Sequence, residues 1–307
     1  AYIDDVTTDA LGNLICRKKG AKDGRKVLFA AHMDSIGVVA TYIDENGFIR
    51  FSQIGGLYYA DLVNITVKFA NGTRGVISYE EKTPMKDMTL AHMFIDIGAK
   101  NAKEAKKLVQ IGDFAVFEAP RFEQNGVLCG PYLDNRIGCV TLLLAMEQLA
   151  ETETENDLYF VFTSQEEVGL RGARIAAHGI NPDFAVVIEG TTCSDMTATP
   201  ENLRVTKSGN GAAISVIDSA SRAAGELVSA LVKTAKRHGI KRQYKAAAAG
   251  GNDAGALYVS NGGIKTASIS VPCRYIHSPV CVMSRSDFES CGDIVKAFLN
   301  DFGKDLI

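Results

Sequence analysis

Five short stretches of the 307-residue chain place ionisable side chains where apolar runs stop. "KVLFAAHMD" ends on His32 and Asp34, "LYFVFTSQEE" on Glu166 and Glu167, "FAVVIEG" on Glu189, and "IKTASISVPCRYIHS" runs out into His277. Asp134 follows the strand-like "NGVLCGPYL". The adjacent glutamates pose the sharpest question. Like charges side by side repel, and each carboxylate loses hydration as the chain packs around it. Either both side chains reach water or something positive waits there. Two histidines and three carboxylates, with no cysteine, form a nitrogen and oxygen donor set suited to Zn²⁺, Co²⁺ or Mn²⁺. One metal leaves too many carboxylates, whereas two ions roughly 3.5–4 Å apart would use them. The charge of two divalent ions is then balanced by Asp134, Glu167, Glu189 and one hydroxide, so the shell is neutral and can be buried. One glutamate of the pair would bind a metal and the other would face the activated water as general base. Asp34 would hold the His32 imidazole so that its free nitrogen faces the metal.

Each residue also has a plainer reading. His32 could be a satisfied buried histidine, Asp134 a helix N-cap, Glu189 a solvated turn residue and His277 an ordinary loop residue. All of these would have to hold together, and the Glu166-Glu167 pair would still lack a reason. The other three histidines serve as controls. His178 and His238 each precede a glycine at an expected helix end, where histidine favours the dipole. His92 repeats the "AHM" of "AHMDSIG" without the apolar strand before it or the carboxylate after it. None of the three is assigned chemistry.

The elements that must position these groups are apolar strands alternating with helical patterns, which predicts an α/β fold: a mostly parallel sheet with helices on both faces. Ligand sites of such sheets lie beyond the carboxyl ends of the strands, so the ionisable ends can converge. Helices are expected over "GCVTLLLAMEQLA", "RGARIAAHG", "SRAAGELVSALVKTAKRHG" with Gly239 as its stop, and "SDFESCGDIVKAFLNDF" with Ser286 as N-cap. Residues 41–128 read differently, as short alternating runs broken by Asn-Gly and Gly-Gly with one amphipathic helix, "NAKEAKKLV". They are expected to form a β-rich domain inserted into a catalytic domain built from 1–40 and 129–307.

Composition narrows the class. Hydrophobic residues make up 46% and charged residues 22%, ordinary for a soluble globular protein, and the length suggests about two domains. A net charge of −3 offers no electrostatic case for nucleic acid or a membrane surface. Seven scattered cysteines without a Cys-x-x-Cys pair point to reduced thiols and a cytoplasmic setting. No apolar run approaches the ~20 residues that span a bilayer. The chain opens on Ala1, almost directly into "LGNLICRK", and is expected to be incomplete at its N-terminus.

The stretches "AHMDSIGVV", "YLDNRIGC", "TSQEEVGLRGA", "VVIEGT", "GGNDAGAL" and "YIHSP", in this order, make the sequence resemble the tetrahedral (TET) aminopeptidases over essentially its whole length. These are co-catalytic dinuclear metallopeptidases, some labelled glutamyl aminopeptidase or endoglucanase-like cellulase M. The resemblance implies that His32, Asp134 and Glu189 hold one metal and Asp134, Glu167 and His277 the other, with Asp134 bridging. Glu166 would be general base and later proton donor to the leaving amine, with Asp34 supporting His32. It also implies a cis peptide at Asp134-Asn135, a PDZ-like insert, and dimers assembling into a hollow homo-oligomeric dodecamer that admits short peptides with a free amino terminus. Asp253 in "GGNDAG" is expected to line the substrate pocket, although turn chemistry explains that stretch equally well. Three departures stand out: Glu189 where many members have aspartate, the unusual loop "SYEEKTPMKDMTL", and no counterpart of the family's N-terminal helix.

The nearest rival is a related dinuclear carboxypeptidase or amino-acid deacylase. Those carry their extra domain after the Glu-Glu pair, whereas here it lies between His32 and Asp134. An endoglucanase would need two carboxylates straddling a sugar and leaves the histidines unexplained. A binding module on a dead scaffold leaves the filled ligand positions unexplained.

Overall fold

The computed structural model describes residues 3–21, 24–150 and 153–302. Its centre is the strand Lys26–His32, in which Val27 through Ala31 are wholly buried on both faces. A strand without a wet face needs neighbours on both edges and a layer above and below. Asp157–Thr163 lies along one edge and Phe184–Thr192 along the other, both parallel, and Lys265–Arg274 runs parallel beyond the latter. The register sets Thr163 level with His32, and Ser270 level with Glu189. Three of the ionisable ends therefore meet at one edge of the sheet. The strand carrying Glu189 continues to Thr192, past its expected end, because its pairing with Lys265–Arg274 extends to Thr192↔Cys273.

Alternate strand residues feed two cores. Val27, Phe29, Phe160 and Val186 pack beneath the helices Leu133–Gln148, Gly225–Arg237 and Arg285–Asp301, with Phe29 stacked on Phe160 at 5.5 Å between ring centres. Leu28, Val161 and Val187 face Arg171–Ile180 and Asp253–Tyr258 on the other side. The closing helix begins at Arg285 with Ser284 as N-cap, so Ser286, expected in that role, lies in the first turn with its hydroxyl 2.8 Å from that of Ser284.

The expectation of a mostly parallel sheet needs correction. Only the four central strands and the pair Ala212–Ile214 with Arg242–Tyr244 are parallel. Asp5–Thr8 and Leu14–Lys18 extend one side antiparallel, and Cys281–Ser284, Val127–Gly130 and Phe122–Gln124 extend the other. A tight turn such as Asn125-Gly126 can join only antiparallel neighbours, which accounts for the outermost pairs, whereas Leu14–Lys18 and Val127–Gly130 join the sheet through partners far along the chain.

Six strands between Gly37 and Glu118 close an antiparallel barrel with its own core, including Val38, Ile49, Val67, Ile77, Ile95 and Phe117. Asn46-Gly47 and Asn71-Gly72 turn two of its hairpins, both glycines having positive φ. Helix Ala102–Leu108 is capped by Asn101, which accepts from the Glu104 N–H. The third Asn-Gly hairpin, expected in the same unit, adds to the large sheet instead, because Val127–Gly130 pairs with Cys281–Ser284. At Gly37 a Cβ would stand 2.9 Å from the Ala115 carbonyl oxygen, so the chain can enter the barrel there only as glycine.

One ion pair fixes the end of the strand leading to His277. Arg274 donates through Nε and Nη2 to the two oxygens of Asp195, at 2.7 and 2.9 Å. This two-pronged bond holds the mostly buried Asp195 carboxyl well below the usual aspartate range, against the opposing effect of burial. A depressed folded pKa contributes stability above the ordinary value near ~3.9, and loses it as the pH falls towards the folded value. Arg274→Gln is expected to cost about 1–3 kcal/mol at pH 7. The difference from wild type should shrink below about pH 4. Urea unfolding at both pH values measures it, and a gap of equal size at low pH would contradict the assignment.

Candidate metal centre

The Glu-Glu pair sits where Asp157–Thr163 ends and the chain turns through Gln165, which has φ 57°. The turn is pinned from the neighbouring strand end. Asp34 Oδ1 accepts the Glu166 N–H at 3.0 Å and Oδ2 accepts the Glu167 N–H at 3.1 Å. Asn13, fully buried, accepts from the Ser164 N–H and donates to the Gly172 carbonyl, closing the turn from behind. Two consecutive residues with fixed amides at a strand end can send their side chains to different targets, and these do. Glu166 Oε2 lies 4.0 Å from His32 Nε2, and Glu167 Oε2 lies 3.6 Å from His277 Nε2.

His32 is buried, and its Nδ1 faces the Asp34 carbonyl oxygen at 3.0 Å. A carbonyl can only accept, so Nδ1 carries the proton and Nε2 is the nitrogen turned to the cluster. Asp34 thus holds this ring through its backbone carbonyl, while its carboxylate, 3.7 Å away, is engaged with the two glutamate amides. His32 Nε2 meets Glu189 Oε1 at 3.1 Å and Asp134 Oδ1 at 3.3 Å. The other oxygen of Asp134 faces His277 Nε2 at 3.6 Å.

Asp134 reaches this position because the helix Leu133–Gln148 begins irregularly. Tyr132 is left-handed, Asp134 and Asn135 depart from helical angles, and the peptide bond between them is cis, as the resemblance implied. Asn135 stitches the start to the sheet, donating to the Ile188 carbonyl at 2.8 Å and accepting from the Gly138 N–H.

The electrostatics match a cation site. Burial, and then the charge of Glu189, pushes Glu166 up to about 10. Burial likewise raises Glu167 and Glu189, each to about 8, with the Asp134 charge adding to both. Burial opposes ionisation of Asp134 too, but the adjacent His32 imidazole holds it below the ordinary aspartate value. Burial would lower His32, yet the charges of Glu189 and Asp134 outweigh it and raise the imidazole well above its usual range. Asp134 Oδ1 and Glu189 Oε2 are buried without a hydrogen-bond donor. Orphaned anionic oxygens facing imidazole nitrogens are what metal ligands look like. Among the described residues, three groups of side chains converge closely enough to hold an ion: His32, Asp134 and Glu189; Asp134, Glu167 and His277; and His32, Glu166 and Glu167.

All six cluster residues read from the sequence therefore come together, lining one cavity of about 630 Å³. Asp253 does not join them there. It opens the helix Asp253–Tyr258, is wholly buried, and accepts from the Thr163 hydroxyl, while Gly250, Gly251 and Asn252 line the cavity in its place. Burial raises its carboxyl to about 6. The control histidines lie elsewhere: His92 caps Thr89 in the barrel, His178 meets Asn261, and His238 meets Asp301.

Sequence reasoning missed the glycines that let the backbone close on the cluster. A Cβ on Gly55 would stand 2.8 Å from Glu167 Oε2, one on Gly56 would be 3.2 Å from His277 Nδ1, and one on Gly190 would be 3.1 Å from Asp134 Oδ1. Gly55 and Gly56 belong to the loop leaving the barrel strand Ile49–Ile54, so "QIGG" carried a second signal beside its turn chemistry. Lys245, also in the cavity wall, had no signal at all.

Residues 12–294 match the M42 glutamyl aminopeptidase family. A putative aminopeptidase of Acetivibrio thermocellus is 45% identical over 290 residues, covering 94% of this chain and 86% of the relative. An aminopeptidase structure from the archaeon Desulfurococcus kamchatkensis superposes with a TM-score of 0.92 at 34% identity, over 97% of this chain and 85% of that one. The TET1 peptidase of Pyrococcus horikoshii, described as able to assemble into a tetrahedron or a large octahedral shell, gives 0.86 at 32% identity, over 96% of this chain and 89% of that one. With the family match spanning almost the whole chain and the same fold in those aminopeptidases, the protein belongs to the M42 (TET) aminopeptidase family and is a hydrolase of that class.

Proposed function

We propose that this aminopeptidase removes the first residue from short peptides with a free amino terminus, using a water activated by two divalent cations and Glu166 as general base. One observation carries the reading: the two oxygens of Asp134 face different histidines, His32 on one side and His277 on the other. A carboxylate so placed can bridge. Glu189 completes the His32 side and Glu167 the His277 side. The donor set of imidazole nitrogens and carboxylate oxygens suits Zn²⁺ or Co²⁺, with Mn²⁺ also compatible. When bound, the cations would polarise the scissile carbonyl and bring a water towards a pKa of ~7.

The remaining chemistry belongs to the chain. Glu166 completes neither bridged group, so its carboxylate takes a proton from the water and returns it to the leaving amine. Asp34 keeps that base in place through the Glu166 amide, so the carboxylate cannot drift with the turn. The Asp134 and Glu189 oxygens that lack donors keep their lone pairs for the cations.

The division into a catalytic unit and a PDZ-like insert, expected over 41–128, is part of the same proposal, with the insert narrowed to the barrel strands from Gly37 to Glu118. It is supported by the barrel's separate core and single helix. Assembly of dimers into a dodecamer is part of the proposal too, supported by a solved TET1 structure, 33% identical, that is described as a dodecamer. A cytoplasmic setting is supported by seven unpaired cysteines. No described helix is long and apolar enough to cross a membrane.

Chelation should abolish hydrolysis of aminoacyl-p-nitroanilides, and Zn²⁺ or Co²⁺ should restore it for free-amino substrates but not amino-blocked ones. Glu166→Gln should retain its metal and lose about 10²–10⁴-fold in kcat. Comparable cleavage of blocked substrates, or an active Glu166→Gln enzyme, would sink the mechanism. Metal analysis tests the bridge separately. Wild type should hold two ions per chain and His277→Ala about one, whereas two tightly held ions in His277→Ala would remove His277 from the ligand set.

A further inference from the structure

Lys245 follows the short strand Arg242–Tyr244 and is 9% exposed, yet it forms part of the wall of the cavity that holds the carboxylate cluster. Among the described lining residues it is the one lysine or arginine. Its Nζ donates to the Ala249 carbonyl, which occupies one of three N–H groups. No carboxylate of the described residues lies within ion-pair distance of it. Asp218, whose charge acts on it, already accepts from the amides of Ala220 and Ser221 and from the Ser221 hydroxyl. Burial lowers the lysine's pKa, with Asp218 and Glu189 opposing that effect. A desolvated ammonium with spare donors on a residue of the cavity wall can bind an anion.

We propose that Lys245 is a specificity-determining residue that pairs with a carboxylate of the bound peptide. The inference rests on the two-cation reading of the same cavity. With its carboxylates neutralised by the cations, the cavity presents Lys245 as its fixed positive charge; without them, an anionic substrate would be repelled. Two parts of a short peptide can supply the carboxylate: an acidic side chain on the first residue, or the free carboxyl terminus of a dipeptide. The competing role is structural, with Lys245 tethering the turn at Ala249.

The test uses the metal-reloaded full chain and pairs of substrates differing by one charge. These are α-glutamyl- against glutaminyl-p-nitroanilide for the side chain, and leucyl-glycine against leucyl-glycinamide for the terminus. Wild type should prefer the anionic member of one pair, and that pair identifies the source. Lys245→Met should lose about tenfold or more in kcat/KM on that member, mainly through KM, and change by less than about threefold on its neutral partner. Lys245→Arg should recover most of the loss. Calorimetric binding of glutamic acid α-amide against glutamine α-amide, and of leucyl-glycine against leucyl-glycinamide, to wild type and Lys245→Met supplies a readout independent of turnover.

Equal losses on charged and neutral members, together with a lowered melting temperature, would establish the tether role and overturn the proposal. So would a wild type without charge preference in either pair. If that wild type still needs metal to cleave the neutral substrates, only the Lys245 inference falls. If metal never produces turnover, the two-cation reading falls, and the binding of the paired ligands decides Lys245.

Discussion

Asp134, Glu166, Glu167 and Glu189 lie almost out of water, with the two imidazoles of His32 and His277 among them. That crowding of negative charge is the constraint on which the rest of the site depends. Carboxylates in such surroundings either hold protons or face cations, and burial together with the neighbouring negative charges raises the pKa values of Glu166, Glu167 and Glu189. The surrounding chain is arranged so that none of the four can turn away. Asp34 grips both glutamate amides, Asn135 fixes the irregular start of the helix bearing Asp134, and strand pairing holds Glu189.

Close approach of backbone to the cluster is the second half of the same design. Gly190 lies against Asp134, while Gly55 and Gly56 bring the barrel's loop against Glu167 and His277. The barrel therefore does more than decorate the large sheet. It supplies part of the wall, including the exposed Tyr58, and its loop limits the movement of two proposed ligands. A barrel that lies between His32 and Asp134 in sequence is thus in close contact with residues far beyond it in the chain.

The barrel and the sheet keep separate cores, so each can be stable by its own packing, and the site lies where their loops meet. Strand ends supply fixed carboxylates and imidazoles, and loops supply the shape. This division suits a hydrolase whose chemistry is shared with its family while the walls choose the substrate.

Much of this was legible in the chain itself. The apolar runs ending in His32, Glu166-Glu167 and Glu189 predicted buried strands, and the placement of charge at their ends predicted convergence, because side chains leaving neighbouring parallel strands at one edge must meet. Period and turn chemistry are local, so the central strands, the helices and the Asn-Gly hairpins could be read without coordinates. What pairs with what is not local. The antiparallel flanks of the sheet, the transfer of the Asn125-Gly126 hairpin out of the barrel, and the closeness of Gly55 to Glu167 depend on contacts between segments far apart in sequence. The same holds for single side chains: Asp34 partners the neighbouring imidazole through its backbone carbonyl while its carboxylate binds amides more than 130 residues away, and Asp253, expected to line the pocket, is buried outside the cavity wall. Residue type and spacing determined which groups could do the chemistry. Tertiary packing alone decided which of them face the cavity, because burial and hydrogen-bond partners are set by whatever the rest of the chain brings alongside.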